Sequence, residues 1–438
     1  MRIVATLLIA ILLALGTAGP SSAQETDRET DPAPSAIELR SRQVVDVING
    51  DIEPEQVFSA SFLATLPPAQ IKAFAQSLTS QFGAAIAVER LDPGDGTRAA
   101  LDVRFERGIA RGGLAILPAE DDRISELVFT SVEPIIAADD SAERIRADLA
   151  ALPGTTNALF ARLGGGGEFD PVLAHNDTTQ LALGSTFKLY VLSTLARSVA
   201  DGSRAWDEVV ALSEKSFPSG QMQDWPQGSP VTLHTLATLM ISISDNTATD
   251  QLIATLGREA IEAELVASGN ASPSNTVPLL KTRELFAMRG VSDELIESYR
   301  AADDAGQRRI IAGLTEADVS QDKVQRTFAT DTPGAIDIEW FASPRDLAGL
   351  LRRLAGPDGA TARDIMAVKP RLTDTLRESW DYAGFKGGSE PGVLNLTWLL
   401  RDAKGAYWIA TVGWNNPEAK VDPTALEAIA QRMIALPR

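Results

Sequence analysis

The sequence predicts an α+β protein built as two units behind a leader, and three observations carry that reading. Between residues 36 and 135, apolar residues at helical spacing give way to stretches that alternate or run apolar, separated by turns. From 136 to 438, two strand-like stretches precede a long helical region and three follow it. The chain's 438 residues also exceed what one hydrophobic core ordinarily organises.

The elements follow in order. "MRIVATLLIAILLALGTAGPSSAQ" has Arg2 as a short positive start, an apolar run from Ile3 to Leu15, and small residues up to Ala23. This predicts a signal peptide over 1–23, and an exported protein, periplasmic or secreted, cleaved near Ala23. The run is shorter than the 18 or so apolar residues of a membrane span. Residues 24–35, polar and without periodicity, read as a linker. In the first unit "AFAQSLTSQFG" predicts a helix stopped at Gly83. "RAALDVRFERG", "GLAILPAED" and "RISELVFTSVEP" predict strands.

The second unit opens with "SAERIRADLAALPG", a helix that Ser141 can cap. "NALFARLGGGGEFDPVLAHN" predicts two strands joined at a run of four glycines. No Lys-Ser/Thr follows that run, so a hairpin is expected rather than a phosphate cradle. From Ser185 to about Ala367 nearly everything reads helical. One start is plain at "SPRD", with Ser343 capping, Pro344 in the first position and Asp346 in the third. "WDYAGFKGG", "GVLNLTWLLRDA" and "AYWIATVGWNN" return to strands, and "DPTALEAIAQRMIAL" closes as an amphipathic helix. The expected architecture is an antiparallel sheet covered by helices, with the helical insert as a second lobe and a cleft between them.

Composition narrows the function. A net charge of −19 argues against nucleic acid and anionic membrane surfaces as partners, because phosphate binding needs Lys and Arg. With no Cys there is neither disulfide nor thiol chemistry. Only His175 and His234 are present, without H-E-x-x-H, so neither a catalytic zinc nor another cofactor is expected. Both histidines read as structural. With no G-x-S-x-G either, a Ser-His-Asp hydrolase is disfavoured.

The chemistry-bearing stretch is "LALGSTFKLYVLSTLA". Ser185 and Lys188 stand three apart, hence on one helix face, at a helix start whose amides favour negative charge. A hydroxyl, an amine to take its proton and donors for an oxyanion make a nucleophilic site. "SQDK", Ser320 to Lys323, has the same spacing in a polar stretch and serves as an internal control. Further along come Ser244-Asp245-Asn246 in "ISISDNTATDQLI", and "GFKGGSEPG", which places Lys386 at a strand end before glycines.

In that order these three groups resemble the class A β-lactamases and penicillin-recognising serine hydrolases, over roughly residues 140–438. The resemblance implies that Ser185 is the acylated nucleophile and Lys188 its proton acceptor. Ser244 would relay a proton to the leaving group, and Asp245 would brace the loop. Asn246 would bind a substrate carbonyl or amide. Lys386 would anchor an anionic group across the cleft. The amides of Ser185 and Ser389, with Gly388 beside them, would form the substrate-binding oxyanion corner.

Two departures matter. Gly387 stands where the family usually has a hydroxyl residue that helps hold the substrate carboxylate. The family's Ω-loop glutamate also lacks a counterpart. Only "NASPS", Asn270 to Ser274, lies between "GREAIEAELVASG" and "NTVPLLKTRELF", while Glu259, Glu262 and Glu264 read as solvated. The missing glutamate, together with "GSTFKLYVL" and "IEWFASPRDL", is similar to the β-lactamase-like proteins of clavulanic acid biosynthesis, associated with esterase action. The first unit resembles the NTF2-like, steroid-isomerase-type domains by element order. It lacks the tyrosine those isomerases use, so a structural or binding role is expected. The expected substrate is a small anionic ester or β-lactam-like molecule. The rivals are a D-Ala-D-Ala peptidase and a penicillin-binding sensor that does not turn over.

Overall fold

The computed structural model describes residues 34–135, 140–164, 168–315, 317–318, 320–326 and 332–438. The expected signal peptide, nearly all of the linker, and the glycine turn at 165–167 lie outside the described residues. The chain forms two compact units, up to residue 136 and from residue 137.

The first unit runs α1 (Ala36–Asn49), α2 (Pro54–Val57), α3 (Ala60–Thr65) and α4 (Pro68–Phe82). Four strands follow: β1 (Ala85–Pro93), β2 (Arg98–Phe105), β3 (Gly108–Leu117) and β4 (Arg123–Pro134). They make an antiparallel meander in chain order. Ser35 and Glu38 close a capping box at the start of α1. On β2, Ala99, Leu101, Val103 and Phe105 point into a core shared with Val44, Phe58 and Ile124. Sequence periodicity missed β1, because its polar "VERLDP" has no alternation and most of its residues are exposed.

The second unit begins with α5 (Ala142–Ala151), β5 (Thr155–Leu163), β6 (Phe169–His175) and β7 (Leu181–Ala182). After α6 (Lys188–Ala200) come β8 (Val209–Ala211), β9 (Pro230–Thr232), α7 (Leu233–Ser242), α8 (Asn246–Leu256) and α9 (Arg258–Ala267). The helical run continues as α10 (Thr282–Val291), α11 (Asp293–Ala301), α12 (Asp304–Ala312) and α13 (Gln321–Arg326). β10 (Phe341–Ala342), α14 (Pro344–Ala355), α15 (Ala360–Met366) and α16 (Asp374–Glu378) lead to β11 (Tyr382–Glu390), β12 (Val393–Arg401), β13 (Tyr407–Asn415) and α17 (Pro423–Ile434).

The sheet order is β11-β12-β13-β5-β6, antiparallel throughout, with β11 at one edge. Alternation along the strands feeds two cores. Leu159, Ala161, Leu399 and Ile409 face Leu189, Leu192 and Leu347 of α6 and α14. Ala158, Phe160, Trp398 and Ala410 face Leu149 of α5 and Leu426 and Met433 of α17. At "SPRD", Ser343 Oγ accepts from the Asp346 amide and Pro344 opens α14.

Two expectations need correction. Lys386 is not at a strand end, because β11 continues through Gly387, Gly388 and Ser389 to Glu390 as it pairs with β12. Glycines carry no β-propensity of their own, so the ladder decides. The stretch from Ser185 to Ala367 also holds two short antiparallel ladders, β7 with β10 and β8 with β9.

Candidate active site

The turn that carries Ser185 is held from behind. β7 pairs with β10, the Leu183 amide donates to the Trp340 carbonyl at 2.9 Å, and the Trp340 ring stacks on Phe187 at 3.7 Å. Gly184 takes a positive φ of 51° and starts a single 3₁₀ turn, Gly184–Phe187, after which α6 begins at Lys188. On that turn Gly184, Thr186 and Phe187 are buried, while Ser185 alone is partly exposed. β11 passes hard against it: a Cβ on Gly388 would lie 2.0 Å from the Leu183 oxygen and 2.5 Å from the Ser185 nitrogen. One on Gly184 would lie 3.1 Å from the Ser389 nitrogen. Glycine at these two places lets β11 pass this close to the turn, with the Ser185 nitrogen near Gly388 and the Ser389 nitrogen near Gly184.

Lys188 is fully buried at the start of α6. Its Nζ donates to the Ser244 carbonyl at 2.7 Å, to Asn246 Oδ1 at 2.7 Å and to Ser244 Oγ at 3.2 Å. Burial draws its pKa down to about 7, against the opposing pull of Asp250, Asp245 and Glu390. An amine so placed exchanges a proton readily near neutral pH. Lys386 Nζ donates to Ser244 Oγ at 3.1 Å and to the Gly387 carbonyl. Burial first, then Lys188 and Arg371, hold it well below the ordinary lysine range. Ser244 Oγ thus lies between two buried amines, on a residue with φ 59°. Among the described residues no hydrogen bond involves the Ser185 hydroxyl. Such contacts often tighten only when substrate binds.

The Ser-Asp-Asn turn is fixed from two sides. Asp245 caps α8 through the Ala248 amide at 2.8 Å and accepts from the Gln221 and Met222 amides at 2.7 and 3.0 Å. Asn246 accepts from Lys188 and donates Nδ2 to the Phe217 carbonyl at 3.0 Å, leaving one N–H unused. Sequence reasoning missed Asp250, one turn further along α8. It accepts from Ser216 Oγ at 2.6 Å and from the Thr282 and Arg283 amides at 2.7 and 2.9 Å. Burial raises its pKa, against the pull of the Ser216 hydroxyl and the Arg283 and Thr282 amides. The i+4 spacing from Asn246 was the available signal.

Asn270 to Ser274 does carry no carboxylate, and the turn is pinned by Asn270 to the Phe341 carbonyl at 3.1 Å and by the Ala271 amide to Asp346 at 2.8 Å. The reading of Glu262 and Glu264 as solvated is wrong. Glu264 is fully buried and takes Ser193 Oγ at 2.6 Å, Arg353 at 2.7 Å and Arg197 at 2.8 Å. Glu262 accepts from the Leu279 amide and from Arg308, both at 2.9 Å. Glu259 is exposed. Every carboxylate that acts on Lys188 is already engaged: Asp245 and Asp250 by amides, Glu390 by Arg289.

His175 Nε2 lies 3.0 Å from Thr156 Oγ1, and burial lowers its pKa. His234 sits edge-on to Trp206. Among the described residues no His, Cys, Asp and Glu grouping could hold a metal ion.

An antiparallel sheet between helices, with a helical lobe that brings a hydroxyl, two buried amines and a Ser-Asp-Asn turn against its edge strand, is the serine-hydrolase fold of the β-lactamase and penicillin-binding type. The model of the β-lactamase enzyme family matches residues 140–433, and the chain belongs to that family. Solved structures with a similar fold include a β-lactamase from Sphaerobacter thermophilus DSM 20745. It is 22% identical, with a TM-score of 0.45, covering 67% of this chain and 94% of that one. A point mutant of PBP-A, in an acyl-enzyme complex with penicillin G, is 20% identical with a TM-score of 0.45, covering 67% and 94%. A point mutant of the class A β-lactamase of the last common ancestor of Gram-negative bacteria is 17% identical with a TM-score of 0.46, covering 67% and 96%. No curated protein matches the chain.

Proposed function

We propose that the second unit is a serine hydrolase that forms an acyl-enzyme on Ser185, acting on esters or β-lactam-related small molecules. The observation that carries this is the buried amine of Lys188, among neutral acceptors, one turn from a partly exposed serine against which β11 packs closely. Neutral Lys188 takes the Ser185 proton as Oγ attacks the acyl carbonyl. The carbonyl oxygen becomes negative and accepts from the Ser185 and Ser389 amides. When the tetrahedral adduct collapses, the leaving group takes a proton through Ser244, which lies between Lys188 and Lys386. Water then attacks the acyl carbon, and Ser185 regains its proton.

The second half is the slower one. Water activation by a positioned base contributes about 10² to 10⁴-fold. The carboxylates around Lys188 are occupied, so Lys188 itself must serve. A small acyl group leaves room for water, whereas an opened β-lactam ring blocks its approach. Hydrolysis of a simple acetyl ester is expected to outpace that of benzylpenicillin, with a penicilloyl adduct building up on Ser185. Pre-steady-state kinetics on both substrates test this. Penicillin turnover as fast as the ester, without adduct, would overturn it. An adduct that never clears on either substrate would favour the sensor reading.

The same proposal includes export directed by residues 1–23. It also takes the first unit, four helices followed by a four-stranded meander, as an NTF2-like structural or binding domain.

A further inference from the structure

Arg289, in the last turn of α10, carries two glutamates on one guanidinium. Nη2 reaches the Ile338 carbonyl at 2.7 Å and Glu339 at 3.3 Å, and Nη1 pairs with Glu390. The three side chains are 3%, 0% and 5% exposed. One buried guanidinium neutralises one carboxylate, and a second carboxylate is better tolerated as the acid. Burial and the neighbouring Glu390 push Glu339 well above the usual carboxylate range, against the pull of Arg289. Glu339 is thereby favoured as the neutral acid, beside the Arg289–Glu390 ion pair.

Two of the three residues come from pieces of chain beside the Ser185 turn, and the third from α10, which Asp250 holds. Glu390 follows Ser389 at the end of β11 and, by strand alternation, shares the face of Lys386 and Gly388. Glu339 precedes Trp340, whose carbonyl and ring hold Leu183 and Phe187. Arg289 belongs to α10, whose first amides are held by Asp250. β11 is an edge strand, so past Gly388 no strand on its open side fixes the Ser389 amide.

We propose that the Arg289–Glu390 pair is a positioning device that fixes the Ser389 amide beside Ser185, with Glu339 outside it. Glu390, not Glu339, governs the acyl-transfer step. This rests on the reading of Ser185 as the nucleophile.

The test compares Glu390→Gln, Glu339→Gln and Ser185→Ala in the full chain, with p-nitrophenyl acetate as substrate. Glu339→Gln replaces a neutral acid by a neutral amide and leaves kcat and KM within about twofold of the original. In Glu390→Gln, Glu339 ionises to partner Arg289, so the fold survives, but the charge has left β11. The expected result is a kcat loss of about 10²-fold with little change in KM, the scale of a displaced oxyanion donor.

The pH profile separates this from a merely structural role. Lys188 faces Asp245, Asp250 and Glu390, with Lys386 on the far side of Ser244. Glu390 is among the groups that raise the Lys188 pKa and Glu339 is not, so moving the charge from one to the other lowers it. The acid limb of the rate profile therefore moves to lower pH in Glu390→Gln and stays in place in Glu339→Gln. Should Glu390→Gln fail to fold, Glu390→Asp keeps the charge on a shorter arm and is expected to lose kcat with the limb unmoved. Equal losses in both Gln variants, or a larger loss in Glu339→Gln, would overturn the clamp while a silent Ser185→Ala variant still supported the nucleophile. Full activity in Ser185→Ala would instead remove the reading beneath it.

Discussion

Lys188 and Lys323 each follow a serine by three residues, and each amine finds an oxygen at 2.7 to 2.8 Å. Lys188 is buried, and its partners are a carbonyl, a hydroxyl and an amide oxygen, all neutral. The Lys323 side chain is 29% exposed and its partner is the Asp318 carboxylate. The Lys323 ammonium and then the Thr315 hydroxyl hold Asp318 down to about 2. A carboxylate partner favours the charged amine, whereas burial among neutral oxygens favours the free base. Spacing alone therefore makes a pair of neighbours; the surroundings favour a free amine in one pair and an ammonium in the other.

The sharpest way to break this comparison is to delete each hydroxyl. Ser185→Ala is expected to lower turnover by about 10⁴-fold or more, with the melting temperature little changed. Ser320→Ala should leave ester hydrolysis untouched. An inactive Ser320→Ala with an active Ser185→Ala would reverse the assignment.

Deleting the amines comes next. Lys188→Met removes the proton acceptor and is expected to cost about 10² to 10⁴-fold in kcat/KM. Lys323→Met removes one half-exposed ion pair, worth about 0.2 to 1 kcal/mol of stability, and no activity. Rate assays and denaturant melts on the two variants read both effects.

Gly388→Ala probes what lies around Ser185 while keeping its hydroxyl. The new Cβ would fall 2.0 Å from the Leu183 oxygen and 2.5 Å from the Ser185 nitrogen, so strand and turn must part. A loss of about 10²-fold in kcat, with binding less affected, is the expected scale for that displacement. An unaltered kcat would mean that the two amides do not cooperate.

The smallest effects are those of pH. Lys188 acts as a base only when neutral, so kcat/KM should rise through about pH 7. Its folded pKa of about 7 lies below the ordinary 10.5, so the unfolded chain binds the extra proton between those values. Its contribution to stability therefore improves as pH rises across that window, and Lys188→Met should flatten the slope. Asp318 has the same sign in a lower window. Its depressed pKa stabilises the fold above 3.8, and this is lost as pH falls towards about 2.

Much of this was legible in the sequence where the signal is local. Ser343, Pro344 and Asp346 announced the start of α14, because capping needs only a hydroxyl, a proline and an acid at fixed offsets. The strands β11 to β13 and helix α17 were plain from alternation and helical period. What failed was non-local. β1 has no apolar pattern of its own and is defined by pairing with β2. Glu264 looks like any helix-surface acid until Arg353, Arg197 and Ser193, distant in sequence, surround it. Arg289 and Glu390 meet across 101 residues, and no spacing rule connects them.

The most direct test of Ser185 as nucleophile is to trap the acyl-enzyme. The full chain is mixed with p-nitrophenyl acetate, quenched in acid within the first turnover, digested, and its peptides weighed. Acetyl on the peptide carrying Ser185, absent from Ser185→Ala and absent from the peptide carrying Ser320, is the predicted result. An acetyl group on any other residue, with Ser185 unmodified while the ester is being hydrolysed, would contradict it.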